Sequence, residues 1–360
     1  MTDKTLKDDK HSEPDDAAVE CLKDVDEWSF DVFTFADKTE DQPLKYLAQS
    51  LFDRYGIFQK FSIDRKVFDN FITRIEAGYK RFSNPYHNNV HAADVTQTLH
   101  SIFCKTRLNK WLTDLEIFAC LLAALIHDYE HTGTTNGFHV MTRSDRALIY
   151  NDRSVQENHH LSASFRILRE DECNILAKLS RDEYRQFRGF VIDLVLSTDI
   201  AFHFQIQKDI QSRINSTELK IDKSKALALV LHACDVSSPT KNWNLHYRWS
   251  TLIMTEFFKQ GDRERELELP ISPLCDKYET FIPESQINFI EFIVIPVFTV
   301  CGEMIELIVK SLIDKNNDEK NKSCDITKTW MEGITENKKK WQEISMEDRC
   351  LPSQKKRTAF

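Results

Sequence analysis

Within YHNNVHAADVTQTLH, residues 86–100, stand His87, His91 and His100, with an acid at Asp94. Imidazole and carboxylate side chains at such density serve proton transfer or metal binding, because burying them unpartnered costs several kcal/mol. His87 and His91 are four apart and would share one helix face, with Asp94 three beyond His91. Two further clusters end apolar runs. FACLLAALIHDYEH presents His127, Asp128 and His131, and LALVLHACDVS presents His232 and Asp235. Each cluster alone fits a structural histidine or a surface pair equally well. Three of them beside apolar helices favour a shared metal.

The parts available are His91, His127 with Asp128, and Asp235. Two imidazoles and two carboxylates suit Zn2+ at a first position. The second oxygen of Asp128 is free to reach a harder ion, Mg2+ or Mn2+, that keeps most of its waters. A metal-bound imidazole gives its other N–H to a carboxylate or carbonyl, a part Asp94 could take for His91. Two metals about 3.5–4 Å apart hold a bridging hydroxide and clamp phosphoryl oxygens, which is machinery for phosphate-ester hydrolysis. His87 then supplies the proton for the leaving alkoxide.

The elements that must position these groups read as helices. The chain has 360 residues, 41% apolar and 29% charged, with 8 glycines. That composition predicts an all-α fold with a sizeable core. Thr113-Asp-Leu-Glu116 and Ser180-Arg-Asp-Glu183 are capping boxes, and Asp222 caps KSKALALVLHACD. Residues 1–26 read as a disordered acidic tail, 27–345 as the catalytic domain and 346–360 as a flexible tail. DKNNDEKNKSCD, residues 314–325, reads as a loop, followed by a helix carrying Trp330 and Trp341. The tandem His159-His160 after Glu157 reads as a plain polar face, at least at His160.

The net charge of −9 and the lack of a basic run argue against a polymeric nucleic acid or an anionic membrane as partner. The apolar segment FIEFIVIPVF, 289–298, is interrupted by Glu291 and Pro296, so no membrane span is expected. Nine cysteines without CxxC, and no leader at the N-terminus, suggest reduced thiols and a cytoplasmic location.

The run YHNNVHAADV resembles the signature of class I cyclic nucleotide phosphodiesterases. IHDYEHTGTTNGFH (126–139), LHACDVSSP (231–239) and SQINFIEFIVIP (285–296) continue the resemblance in family order, and DVDEWSFDVFTF is most similar to the calcium/calmodulin-stimulated branch. The resemblance implies an all-α, HD-type metallohydrolase domain of about sixteen helices. It implies hydrolysis of the 3′ phosphoester of cAMP or cGMP to the 5′-monophosphate. It places His91, His127, Asp128 and Asp235 on the metals and His87 as general acid. His131, Glu157 and Thr198 would hold metal-bound waters. Tyr86, Gln286, Phe289, Ile253 and Ser238 would line the nucleotide pocket, with Phe289 and Ile253 clamping the base. Two positions depart from the pattern. Ser238 replaces a larger residue, and Asn288 replaces glycine beside Gln286. Calmodulin regulation is implied by the branch, yet no basic amphipathic segment is evident. A homodimer is possible. A catalytically weak cyclic-nucleotide sensor and an HD-type hydrolase of another nucleotide are the rival readings.

Overall fold

The computed structural model describes residues 16–216, 221–316 and 326–350, with side chains described except at 313–316 and 349–350. Every regular element among them is helical. Most of the expected 314–325 loop lies outside the described residues, and 314–316 belong to helix Ile295–Asn316.

The capping signals act as read. Thr113 and Glu116 form a reciprocal capping box, Ser180 and Glu183 form another, and Asp222 accepts from Lys225 N–H. Helix Asp114–Ile126 is the centre of the fold, buried from Glu116 through Ile126. An all-round apolar helix has no solvent face, so neighbours must cover every side. Helices Asn89–Thr106 and Arg181–Leu196 pack on it, and Lys223–Asp235 packs on both of those. The helix ends that carry His127 and Asp235 therefore meet the N-terminal part of Asn89–Thr106.

Both ends of the described chain brace the turn after Asp235. Trp28 donates its indole N–H to Thr240, 3.1 Å from the carbonyl oxygen, and packs edge-on to Phe298 and tilted against Trp330. Helix Ile326–Cys350 buries Trp330 and Trp341, and Asn337 donates to the carbonyls of Pro239 and Lys241, both at 2.8 Å. Gly333 makes this approach possible, since a Cβ there would lie 2.3 Å from the Thr240 carbonyl oxygen.

These contacts correct two boundaries. Residues 16–26 are ordered: Asp16–Cys21 is helical, Ala18 and Val25 are buried, and Gln97 donates to the carbonyls of Val25 and Glu27. Their anchors lie about seventy residues away, beyond the reach of a composition argument. Likewise the last helix continues through Cys350, past the expected boundary at 346.

Ile282–Leu312 is long and apolar enough to cross a membrane, but half of its apolar window is buried inside the molecule, as in a core helix. Pro296 does not break it. Residues Ile290–Val294 form a π turn just before the proline. Widening the helix relieves the clash between a proline ring and the carbonyl one turn back.

Lys241 is fully buried and its ammonium pairs with Asp94, while Thr98 Oγ1 lies 2.7 Å away. This pair ties the turn after Asp235 to helix Asn89–Thr106. Lys241→Met should destabilise the protein by about 3–5 kcal/mol, because it strands the Asp94 charge in the core. A urea melt checks this, and Asp94→Leu added to Lys241→Met should recover most of the loss. A single variant within about 0.5 kcal/mol of wild type would contradict it.

Candidate active site

Asn88 caps helix Asn89–Thr106, its side chain accepting from Val90 and His91 N–H. His91 thus sits in the first turn. His87 lies before the cap, outside the helix, so the two histidines do not share a helical face as expected. Their rings still approach, with centroids 5.8 Å apart at 85°. The irregular backbone at 85–88 turns His87 back over the site.

His91, His127, Asp128 and Asp235 converge. One ligand atom from each lies within 4.8 Å of all the others. His91 Nε2 is 3.0 Å from Asp235 Oδ1, 3.4 Å from His127 Nε2 and 3.5 Å from Asp128 Oδ2. His127 Nε2 lies 3.3 Å from Asp128 and 3.4 Å from Asp235. The ring of His127 is set by its other nitrogen, 2.9 Å from the Ala124 carbonyl oxygen, so Nδ1 donates and Nε2 faces the cluster. Burial disfavours a charged His127, yet Asp128 and Asp235 outweigh it and hold its pKa well above the usual imidazole range. Both carboxylates are held below theirs, against burial, chiefly by His127. The cluster therefore demands a positive charge between the ligand atoms. A divalent metal fits that demand and the donor set.

Asp94 does not orient His91 as expected. Its carboxylate serves Lys241, and His91 Nδ1 is buried without a hydrogen-bond partner. A buried ammonium is the stronger claimant on one carboxylate.

The water-holding candidates divide. Glu157 accepts from Asn136 at 2.9 Å, and burial, with Asp199 nearby, raises its pKa to about 7. The Thr198 hydroxyl donates to the Val195 carbonyl, 2.8 Å away. His160 is no surface residue. It is fully buried, its Nδ1 donates to Tyr129 O at 2.6 Å, and its unpartnered Nε2 faces Asp128 Oδ1 at 3.7 Å. Glu157 and His160 are three apart on one helix, which is the sequence signal that could have placed His160 here.

Beside the cluster stands an ion pair the sequence reading missed. His87 Nδ1 donates to Glu256 Oε1, and Tyr86 and His87 backbone N–H groups donate to Glu256 Oε2 at 3.0 and 3.1 Å. Burial lowers the His87 pKa, but Glu256 outweighs it and raises it to about 9. His131 stacks on His87 at 3.9 Å, and its pKa is pushed well down by burial and then by the His87 cation. With Nδ1 committed to Glu256, His87 has Nε2–H to offer a substrate.

A hydrogen-bond chain leads to Gln286. An indole N–H only donates. Trp341 Nε1 donates to His246 Nε2 at 2.8 Å, so His246 carries its proton on Nδ1. That nitrogen faces Ser238 Oγ at 3.4 Å and Ser250 Oγ at 3.5 Å. Ser250 Oγ then donates to Gln286 Oε1 at 3.0 Å. Burial lowers the His246 pKa to about 3 and keeps the ring neutral. Ser238 and Gln286 are thus ends of one network. Tyr86 packs against His87, His91 and Trp249. Ile253 and Phe289 are half-buried at the edge of the core, and Asn288 lines a separate surface pocket with Ile271, Pro273 and Phe281.

The sequence pattern of 3'5'-cyclic nucleotide phosphodiesterase matches residues 86–316, the span that holds every site residue above except Trp341. The chain belongs to the cyclic nucleotide phosphodiesterase family. Among its relatives is the dual specificity calcium/calmodulin-dependent 3',5'-cyclic nucleotide phosphodiesterase 1 of Drosophila melanogaster, 55% identical over 84% of this chain and 36% of the relative. The mouse enzyme 1C of that name is 52% identical over 84% of this chain and 43% of its own length. Human enzyme 1B is 44% identical over 91% of this chain and 65% of its own length. The chain thus spans between a third and two thirds of these relatives, all within the calcium/calmodulin-dependent branch of the family.

Proposed function

We propose that this protein hydrolyses the 3′ phosphoester bond of cAMP and cGMP, giving nucleoside 5′-monophosphates, in the cytoplasm. The observation that carries this reading is the His91–His127–Asp128–Asp235 cluster standing beside the His87–Glu256 pair. We read the four-ligand position as a Zn2+ site. The second is a Mg2+ or Mn2+ site reached from Asp128, with His160 Nε2 3.7 Å from Asp128 Oδ1 and Glu157 near enough to feel the Asp128 charge. Metals bound there supply an activated water and positive charge opposite the phosphoryl oxygens.

The chain's own residues do the rest. As the P–O3′ bond breaks, O3′ gains charge and needs a proton. His87 Nε2–H delivers it. Glu256 keeps His87 protonated beforehand and holds its ring orientation through Nδ1. His131, neutral, stacks on the ring without competing for its proton. At the other end Gln286 has Oε1 occupied by Ser250, which leaves Nε2–H to donate to a purine acceptor such as guanine O6 or adenine N7. The unpaired described cysteines suit a reducing compartment.

Incubating the purified chain with each cyclic nucleotide and Mg2+ tests the reading. The expected product is the 5′-monophosphate, and the 3′ isomer would overturn the assignment of the leaving group. Ser250→Ala frees the Gln286 amide, so KM for both nucleotides should rise by about tenfold, from the loss of about one hydrogen bond, with kcat little changed. An unchanged KM would remove Ser250 from recognition.

A further inference from the structure

We propose a second metal-binding position, outside the catalytic pocket, formed by Asp26, His100 and Cys104, of a kind suited to Zn2+. The His100 imidazole is fully buried, and Cys104 lies one turn further along helix Asn89–Thr106. Asp26 approaches from the N-terminal segment. One ligand atom from each of the three lies within 4.8 Å of the others.

The geometry fits tetrahedral zinc. His100 Nε2 and Cys104 Sγ are 3.6 Å apart. Zn–N and Zn–S bonds of about 2.0 and 2.3 Å at a tetrahedral angle span about 3.5 Å. Asp26 Oδ1 lies 2.8 Å from His100 Nε2 and must open by about half an ångström to admit the ion. Asp26 and Cys104 are half-exposed, so water can complete the shell.

The surroundings are also those of a ligand set. The Tyr55 hydroxyl is 2.9 Å from His100 Nδ1, an outer partner that would fix Nε2 as the coordinating nitrogen. Arg54 pairs with Asp26 Oδ2 and leaves Oδ1 turned toward His100. Binding replaces the Sγ–H bond by an Sγ–metal bond and releases the proton to solvent.

Occupation would staple the N-terminal segment to the helix that carries His91 at its other end. Ser101 Oγ already donates to Asp26 O at 3.0 Å, so the segment is poised for the bond.

Anaerobic titration of the full chain with Co2+ tests this. The catalytic cluster contains no sulfur, so a near-ultraviolet thiolate-to-cobalt band reports a cysteine-containing position and not the catalytic one, and its dependence on Cys104 assigns it. With the catalytic positions already loaded with Zn2+ and Mg2+, the band should saturate at one further cobalt per chain, bleach on excess Zn2+ and vanish in Cys104→Ser. Tyr55→Phe should weaken the cobalt affinity by about tenfold. In wild-type protein Zn2+ should also protect Cys104 from alkylation, mapped by mass spectrometry. No band, a band that persists in Cys104→Ser, or alkylation of Cys104 unaffected by Zn2+ would each overturn the proposal. Cyclic-nucleotide turnover of Cys104→Ser with Mg2+ should equal wild type, which separates this position from the catalytic one.

Discussion

Asp235→Ala should release the metal of the four-ligand position and lower turnover by on the order of 10³-fold or more, since a catalytic metal contributes several kcal/mol to the barrier. Asp235 Oδ1 lies 3.0 Å from His91 Nε2 and 3.4 Å from His127 Nε2. Removing it leaves two imidazoles and one carboxylate, with less negative charge to attract the ion. The readout is metal content of the purified variant, measured by elemental analysis beside its circular dichroism. A folded variant that keeps stoichiometric tight metal would show that Asp235 is not a ligand. His127 provides an internal check. Its raised pKa depends on Asp128 and Asp235 together, so in metal-free protein Asp235→Ala should lower it, seen in the imidazole titration by NMR.

The second large effect falls on His87. His87→Ala should lower kcat by about 10²–10⁴-fold while metal content stays at the wild-type level, the signature of a lost general acid. Glu256→Gln separates proton supply from position. The amide still accepts from the Tyr86 and His87 backbone but no longer raises the imidazole pKa, which is about 9 with the carboxylate in place. The acid must be protonated to act. Activity is retained below its pKa and lost as pH rises through it, so Glu256→Gln should shift the alkaline limb of the kcat profile to lower pH. A limb that stays in place would mean that another group limits the rate there. A His87→Ala defect fully explained by metal loss would remove His87 from the acid role.

The convergence of His127, Asp128 and Asp235 was legible in the sequence because they close buried helices, where an ionisable group is conspicuous, whereas His91 opens one. His127 closes Asp114–Ile126, and Asp235 closes Lys223–Asp235. The Thr113–Glu116 capping box and the Asp222 cap mark where those helices begin. Glu256 was not legible. It sits in the middle of Trp243–Glu266, 169 residues from His87, with no local pattern to mark its burial. Lys241 was hidden for the same reason, and its claim on Asp94 could not be read from the i,i+3 spacing of His91 and Asp94. His160 was misread because adjacent histidines on one helix point to different sides. His159 pairs with Glu130, while His160 turns inward to Asp128. The ordering of residues 16–26 rests on Gln97 and Ser101, contacts that composition cannot foresee.

The most direct test of the account is turnover of cAMP and cGMP by the purified chain, first with Mg2+, then after exhaustive chelation, then after Zn2+ and Mg2+ are restored. Two-metal hydrolysis requires 5′-monophosphate formation that disappears on chelation and returns with the metals. A chain that binds metal and cyclic nucleotide yet forms no product would contradict it and identify a sensor instead.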